Sequence, residues 1–390
     1  EQLGSYSLYG STIDEHPTED DLADDLVDLT RMRRSAVRYL PDEHHPEFGF
    51  VQFQTTDTVF HECPGEETII ERVFETVDSE IRRVLDDCDP DRVLVVSDHG
   101  IGPMDGCEFR VNDFLSERGW LVTTTDGDGM PSWKSLTRDG DSTTNDLLRT
   151  AGQAAIRLSS RAGVTSQRVG AVLDRLGLRE WVLETVPLDV VRAGAEQVDF
   201  PASSAYMRTR TEMGIRINLD GREPSGTVAP NEYDAVREEL IDQLSEAETP
   251  EGEPIFERVA RCEEIFSGPY VDAAPDIVTV PSSFEHFLVA NLKGATIGEP
   301  TEPWEHKRDG IVIASGPDVE PTAIEDAHLF DIAPTVLGWF GVPISDRMDG
   351  EALSFVDIPE QETYPAFDGS SVAGDAEGVA DRLEALGYLQ

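Results

Sequence analysis

Two aspartates and three histidines stand at the ends of apolar runs. Asp57 and His61 follow Phe48-Gly-Phe-Val-Gln-Phe53, Asp98 and His99 follow Arg92-Val-Leu-Val-Val96, and His306 comes shortly before Gly310-Ile-Val-Ile-Ala-Ser-Gly316. Carboxylate oxygens and imidazole nitrogens gathered at strand ends are the donors that a hard or borderline divalent metal takes. Asp57 and His61 are one helical turn apart if a helix starts after the first run, although such a pair taken alone is common. Asp98-His99 weighs more, because an apolar strand that ends in two ionisable groups must turn them to solvent or to a ligand. The plainer reading of that pair is Asp98 capping the next turn beside an exposed His99. His306 by itself reads as a surface histidine. Of the others (His16, His44, His45, His286 and His328), His44-His45 sits in an acidic, Pro-bounded turn and reads as solvated, with a peripheral metal as the alternative.

The patterning supplies elements to hold these groups. Leu22, Leu26, Leu29, Val37 and Leu40 repeat at helical spacing from Asp20, and Pro41 is expected to stop that helix. A strand to Phe53, a helix from about Glu66 to Cys88 and the apolar strand to Val96 follow, in the order of a βαβ unit with a parallel sheet. Ligands at the carboxyl ends of such strands are where open α/β sheets place their sites. Residues 123–143 read as a long surface loop. Asp126-Gly-Asp128-Gly within it lacks the terminal glutamate of a calcium loop and reads as flexible acidic chain. Residues 144–192 look helical, Gly214–Leu219 alternates as a half-buried strand, and a helix spans about Asn231 to Leu244. Asp276–Val280 and Gly310–Ala314 read as buried strands, Asp331–Phe340 as a helix and residues 368–380 as a small-residue linker.

Composition narrows the partners. Asp plus Glu total 78 against 31 Lys plus Arg, a formal charge of −47, and the lysines are Lys134, Lys293 and Lys307. Such a charge repels nucleic acid phosphates and anionic membranes, so no nucleic-acid surface is expected. In molar salt the self-repulsion is screened to about 3 Å, and acidic side chains keep the chain hydrated, which points to the cytoplasm of a salt-accumulating cell. Cys63, Cys88, Cys107 and Cys262 are scattered without a Cys-x-x-Cys, which excludes a thiolate zinc motif. No apolar run is long enough to span a membrane. At 390 residues the chain is expected to form one large domain with an insertion.

The order Asp57-x-x-x-His61, then Asp98-His99-Gly100, then His306 ahead of Gly-Ile-Val-Ile-Ala-Ser-Gly-Pro resembles the alkaline phosphatase superfamily, and within it the type I phosphodiesterase and nucleotide pyrophosphatase branch. Gly214-Ile-Arg-Ile-Asn-Leu-Asp-Gly-Arg-Glu-Pro-Ser-Gly, Ala274-Pro-Asp276, Asp331-Ile-Ala-Pro-Thr-Val-Leu, Met348-Asp-Gly350 and Leu386-Gly-Tyr-Leu389 resemble further segments of that branch, in the same order. The resemblance implies a three-layer α/β/α core with a mostly parallel sheet, in one catalytic domain over residues 1–390 with a cap at about 105–210. It also implies two divalent metals, zinc by donor type with manganese or iron possible. Asp57, His61 and His306 would hold one metal, and Asp98 and His99 would help hold the other.

The implied reaction is hydrolysis of a phosphorylated small molecule or nucleotide through a covalent phospho-enzyme. The branch carries its Thr or Ser nucleophile and a further Asp ligand ahead of these segments. Ser5, Ser7, Ser11, Thr12 and Asp14 follow no apolar strand, so no catalytic nucleophile is assigned within this chain and one is expected upstream of residue 1. The chain alone is accordingly expected to be impaired. The alternatives are a phosphomonoesterase or phosphomutase on the same scaffold, or a non-catalytic metal-stabilised binding module. A sulfatase is disfavoured by the lack of a Cys/Ser-x-Pro-x-Arg motif. Oligomeric state is not legible.

Overall fold

The computed structural model describes residues 18–44, 46–124, 197–324, 326–357 and 361–365. It is an α/β protein that divides after Pro103 and again after Glu302 into two compact units. The first unit opens with α1 (Glu19–His44), α2 (Thr55–Glu62), α3 (Glu67–Cys88), β1 (Val93–Val96) and β2 (Gly100–Pro103). The second contains β3 (Glu108–Arg110), α4 (Val111–Glu117), β4 (Thr123–Thr124), β5 (Gln197–Val198), β6 (Ala205–Tyr206), β7 (Gly214–Ile217) and α5 (Tyr233–Ser245). It continues with β8 (Phe256–Arg261), β9 (Ile277–Pro281), β10 (Phe287–Val289) and β11 (Ile297–Gly298). The chain then returns to the first unit with β12 (Trp304–Lys307), β13 (Val312–Ser315), α6 (Ile332–Trp339), β14 (Ile344–Ser345) and β15 (Gln361–Glu362).

The first unit is built on three helices. Leu22, Leu26, Val59, Cys63, Ile69 and Val73 of α1, α2, α3 and the adjoining Cys63 turn form one buried cluster. Burying side chains of the Leu, Ile and Val type is worth about 1.5–3 kcal/mol each. A buried hydroxyl pair, Thr30 Oγ1 to Thr55 Oγ1 at 2.8 Å, ties α1 to the start of α2. Beyond the helices, β1 pairs antiparallel with β13 and β2 pairs antiparallel with β12.

In the second unit, β6, β7, β9 and β8 form a four-stranded antiparallel sheet. Phe109, Phe114, Leu115, Met207, Ile215, Ile217, Leu240, Leu244, Ile255 and Ile277 share its core. Helix α5 buries Arg237, Leu240 and Leu244, three and four residues apart and so on one face. Asn112 locks α4 to two other segments, donating to the Met207 and Ala290 carbonyls and accepting from the Met207 N–H.

Several expectations need correcting. The segment 48–53 is not a strand. It makes no ladder with a described strand, and Phe48 and Phe50 are exposed, so its apolar residues lack the hydrogen-bonded neighbour a strand requires. Pro41 does not end α1, which runs to His44. A proline deletes one N–H bond, and so little helix follows it here that the loss stays local. Gly214–Ile217 is buried on both faces rather than one. Arg216 is accommodated there by an ion pair with Glu223 at 2.8 Å. The expected mixture of helices and strands is present; among the described residues most of the sheets are small and antiparallel, and the parallel strand pairs are β3 with β10 and β14 with β15. The loop beyond 124, the helical stretch 144–192, Asp126-Gly-Asp128-Gly and the linker 368–380 lie outside the described residues.

Candidate metal centre

Helix α2 presents Asp57 and His61 on one face for a simple reason. Val59 and Cys63 are fully buried against α1 and α3. Two residues along a helix is about 200° of rotation, so Asp57 and His61 face away from that core. The apolar pattern inside the helix bundle therefore fixes where the ligating pair points. Phe60, between them in sequence, stacks on Trp304 of β12, with ring centroids 5.1 Å apart and an interplanar angle of 20°. That stack ties α2 to the strand that carries His306.

The β2–β12 ladder sets the second half. His306 pairs with Ile101 and Lys307 with Gly100, which places the His306 strand beside the His99–Gly100 turn. No side chain fits at position 100, because a Cβ there would collide with the Asp309 carbonyl. The imidazoles of His99 and His306 stack with centroids 3.8 Å apart. Nδ1 of His99 lies 2.9 Å from the Gly100 carbonyl oxygen. A carbonyl only accepts, so that nitrogen carries a proton, which leaves Nε2 as the ring nitrogen available to a metal.

Around these elements the donors converge. His61 Nε2 and His306 Nε2 are 3.0 Å apart. Asp57 Oδ1 lies 3.4 Å from His61 Nε2 and 3.3 Å from His306 Nε2. Donor atoms on a tetrahedral zinc, at about 2.0–2.1 Å from the ion, sit about 3.3–3.4 Å from one another. The triangle has nearly those sides. Asp57 Oδ1 is moreover a buried oxygen without a hydrogen-bond partner, which an ion at the centre of the triangle would satisfy. The residues present therefore fit a divalent metal. The neighbouring His61 imidazole holds the Asp57 carboxyl below its ordinary range, outweighing burial, which acts the other way. Burial, and after it the neighbouring His99, pushes His306 below the ordinary histidine range, toward the neutral form that ligates.

Donor atoms of Asp57, His99 and His306 also fall within 4.8 Å of one another, as do those of His61, Glu305 and His306. Four of the five expected residues thus meet in one place. Asp98 is apart: its side chain is 72% exposed, and its Oδ1 is 3.7 Å from His99 Nε2. Glu305 is a donor that the sequence reading did not pick out. Among the described residues a second polar cavity, in the other unit, is lined by Arg216, Arg222, Arg237, Tyr233 and Asp276. Its arginines are already paired, with Glu223, Asp276 and Glu263 respectively, so they carry little attraction for an added anion.

The type I phosphodiesterase / nucleotide pyrophosphatase family model matches residues 9–310, more than three quarters of the chain. The chain belongs to that family, and with it to a class of metal-dependent phosphoester hydrolases whose substrates are phosphorylated small molecules or nucleotides. No curated protein and no solved structure matches it. No described helix is long and apolar enough to cross a membrane.

Proposed function

We propose that this chain is a phosphodiesterase or nucleotide pyrophosphatase that works with two divalent ions, zinc by donor type. Asp57, His61 and His306 hold the first ion. His99 and Asp98 serve the second. The observation that carries this reading is the triangle of Asp57 Oδ1, His61 Nε2 and His306 Nε2, with sides of 3.0–3.4 Å around an orphaned carboxylate oxygen.

When bound, the ions supply positive charge that activates the attacking oxygen and stabilises the departing one. The residues of the chain hold that charge in place. The Nδ1–H of His99 anchors on Gly100, which keeps Nε2 turned outward, and Phe60 on Trp304 holds α2 to β12. A hydroxyl oxygen would then displace one alkoxide of the diester, its proton passing to the departing alkoxide, and water would later cleave the covalent ester, releasing the phosphate monoester and restoring the hydroxyl. No residue of the described chain is assigned that hydroxyl. The parallel three-layer core, the cap at about 105–210 and the salt-accumulating cytoplasm belong to the same proposal.

The test is metal binding by the protein followed by its hydrolysis of bis(p-nitrophenyl) phosphate and p-nitrophenyl phosphate. Preference for the diester supports the phosphodiesterase reading. Preference for the monoester moves it to a phosphomonoesterase, and metal binding without turnover of either moves it to a binding module.

A further inference from the structure

Adjacent residues of a β-strand point to opposite faces, so Glu305 and His306 of β12 should have little to do with one another. They do not behave that way. The Glu305 carboxylate folds back along its own strand. Its Oε1 accepts the His306 backbone N–H at 3.1 Å and lies 3.6 Å from His306 Nδ1. Glu305 is also the better covered of the two, with its side chain 15% exposed against 45% for His306. The other ring nitrogen of His306, Nε2, is the one that faces Asp57 and His61. The imidazole is thus flanked by a carboxylate at one nitrogen and by the donor triangle at the other.

We infer that Glu305 is a positioning residue for His306, holding its proton on Nδ1 so that the Nε2 lone pair is presented to the metal. This rests on the metal-centre reading above and deepens it. A negative charge beside Nδ1 favours the tautomer that carries the proton there and makes the opposite nitrogen a stronger donor. Carboxylate partners of this kind behind ligating histidines orient the ring as well. His99 achieves the same tautomer with the Gly100 carbonyl. The two stacked imidazoles would therefore present Nε2 by the same device, built from different acceptors. The backbone bond to the His306 N–H matters to the argument, because it fixes the carboxylate before any ion arrives.

The experiment compares the full chain with Glu305→Gln and Glu305→Asp in molar KCl, by two readouts. The first is zinc affinity in competition with a chelator, with the visible spectrum of the Co(II)-loaded proteins recorded alongside. Glu305→Gln should bind zinc about 10–100-fold more weakly, the range for loss of such a partner, with an unchanged Co(II) spectrum because no ligand is lost. Glu305→Asp should recover part of the affinity. Equal affinity in wild type and Glu305→Gln would overturn the inference. So would a Co(II) spectrum altered by Glu305→Gln, since Glu305 would then be a ligand itself.

The second readout is the imidazole ¹⁵N shift of His306 Nδ1 in the zinc-loaded proteins. With Nε2 on the ion the proton resides on Nδ1, beside Glu305, so the Nδ1 shift should differ between wild type and Glu305→Gln. Identical Nδ1 shifts in the two would overturn the inference. A wild type that binds no zinc would sink the metal reading, whereas zinc bound equally by wild type and Glu305→Gln would sink the inference alone.

Discussion

His61 and His306 are 245 residues apart in sequence, and their Nε2 atoms approach to 3.0 Å. Two imidazole nitrogens that close share either a proton or an ion, since two lone pairs facing one another repel. Asp57 Oδ1, near both, makes no hydrogen bond of its own, which favours the ion.

Replacing His306 by alanine removes one corner of that triangle. Three protein ligands become two, and the affinity for the first ion should fall steeply while the helix bundle, built on Leu22, Leu26, Val59 and Val73, stays folded. Metal content and circular dichroism measured together check this. Metal content equal to wild type would remove His306 from the site.

Asp98 makes a sharper division. Its exposed side chain lies near His99 and joins neither of the donor groups that contain Asp57, His61 and His306. Asp98→Asn should therefore leave the first ion bound and weaken the second. Loss of both ions from a folded variant would mean that the two sets of ligands are not separable.

Asp276 is expected to matter for stability rather than chemistry. Its carboxylate accepts from the Ile217 N–H at 2.7 Å, from Tyr233 at 2.7 Å and from both Arg222 terminal nitrogens at 2.6 and 2.8 Å. Breaking a buried pair of this kind by removing one partner costs about 3–5 kcal/mol, so Asp276→Ala should unfold at markedly lower denaturant. The hydrogen bonds from Arg222, Tyr233 and Ile217 hold the Asp276 carboxyl below its ordinary range despite burial. Its contribution is therefore complete above the ordinary carboxylate pKa and disappears as pH falls through the lowered folded value. Denaturation midpoints followed from neutral to acid pH should converge for wild type and Asp276→Ala; a constant gap would show that the stabilisation does not come from ionisation of the carboxyl.

The net charge of −47 carries a salt prediction. At about 0.1 M ionic strength the screening length is about 10 Å, enough for neighbouring carboxylates to repel across the surface, and at 1 M it is about 3 Å. The chain should expand or unfold on dialysis from molar KCl to low salt, seen as a rise in radius of gyration by small-angle scattering. An unchanged radius would separate the acidic composition from any salt requirement.

Much of the site was legible because its elements are local. The i,i+4 pair Asp57 and His61 sits on a helix as the spacing required, and α3 begins at Glu67, one residue from the expected start. Val93–Val96 is a strand, as its apolar run implied. What escaped was pairing between distant segments. Nothing in Val93–Val96 says that its neighbour is Val312–Ser315 running antiparallel, and strand pairing at such separation leaves no local trace. The run Phe48–Phe53 has strand composition but no described partner, and composition alone does not make a strand. Glu305 was missed because strand alternation assigns it to the face opposite His306, whereas its flexible side chain turns back to the His306 N–H.

The most direct measurement is bound metal per chain, by elemental analysis of protein purified and dialysed in molar KCl, with Asp57→Asn measured beside it. About one zinc or manganese per chain in wild type, lost from a folded Asp57→Asn, is the result expected of a three-ligand centre at Asp57, His61 and His306. A folded wild type that retains no metal would contradict it.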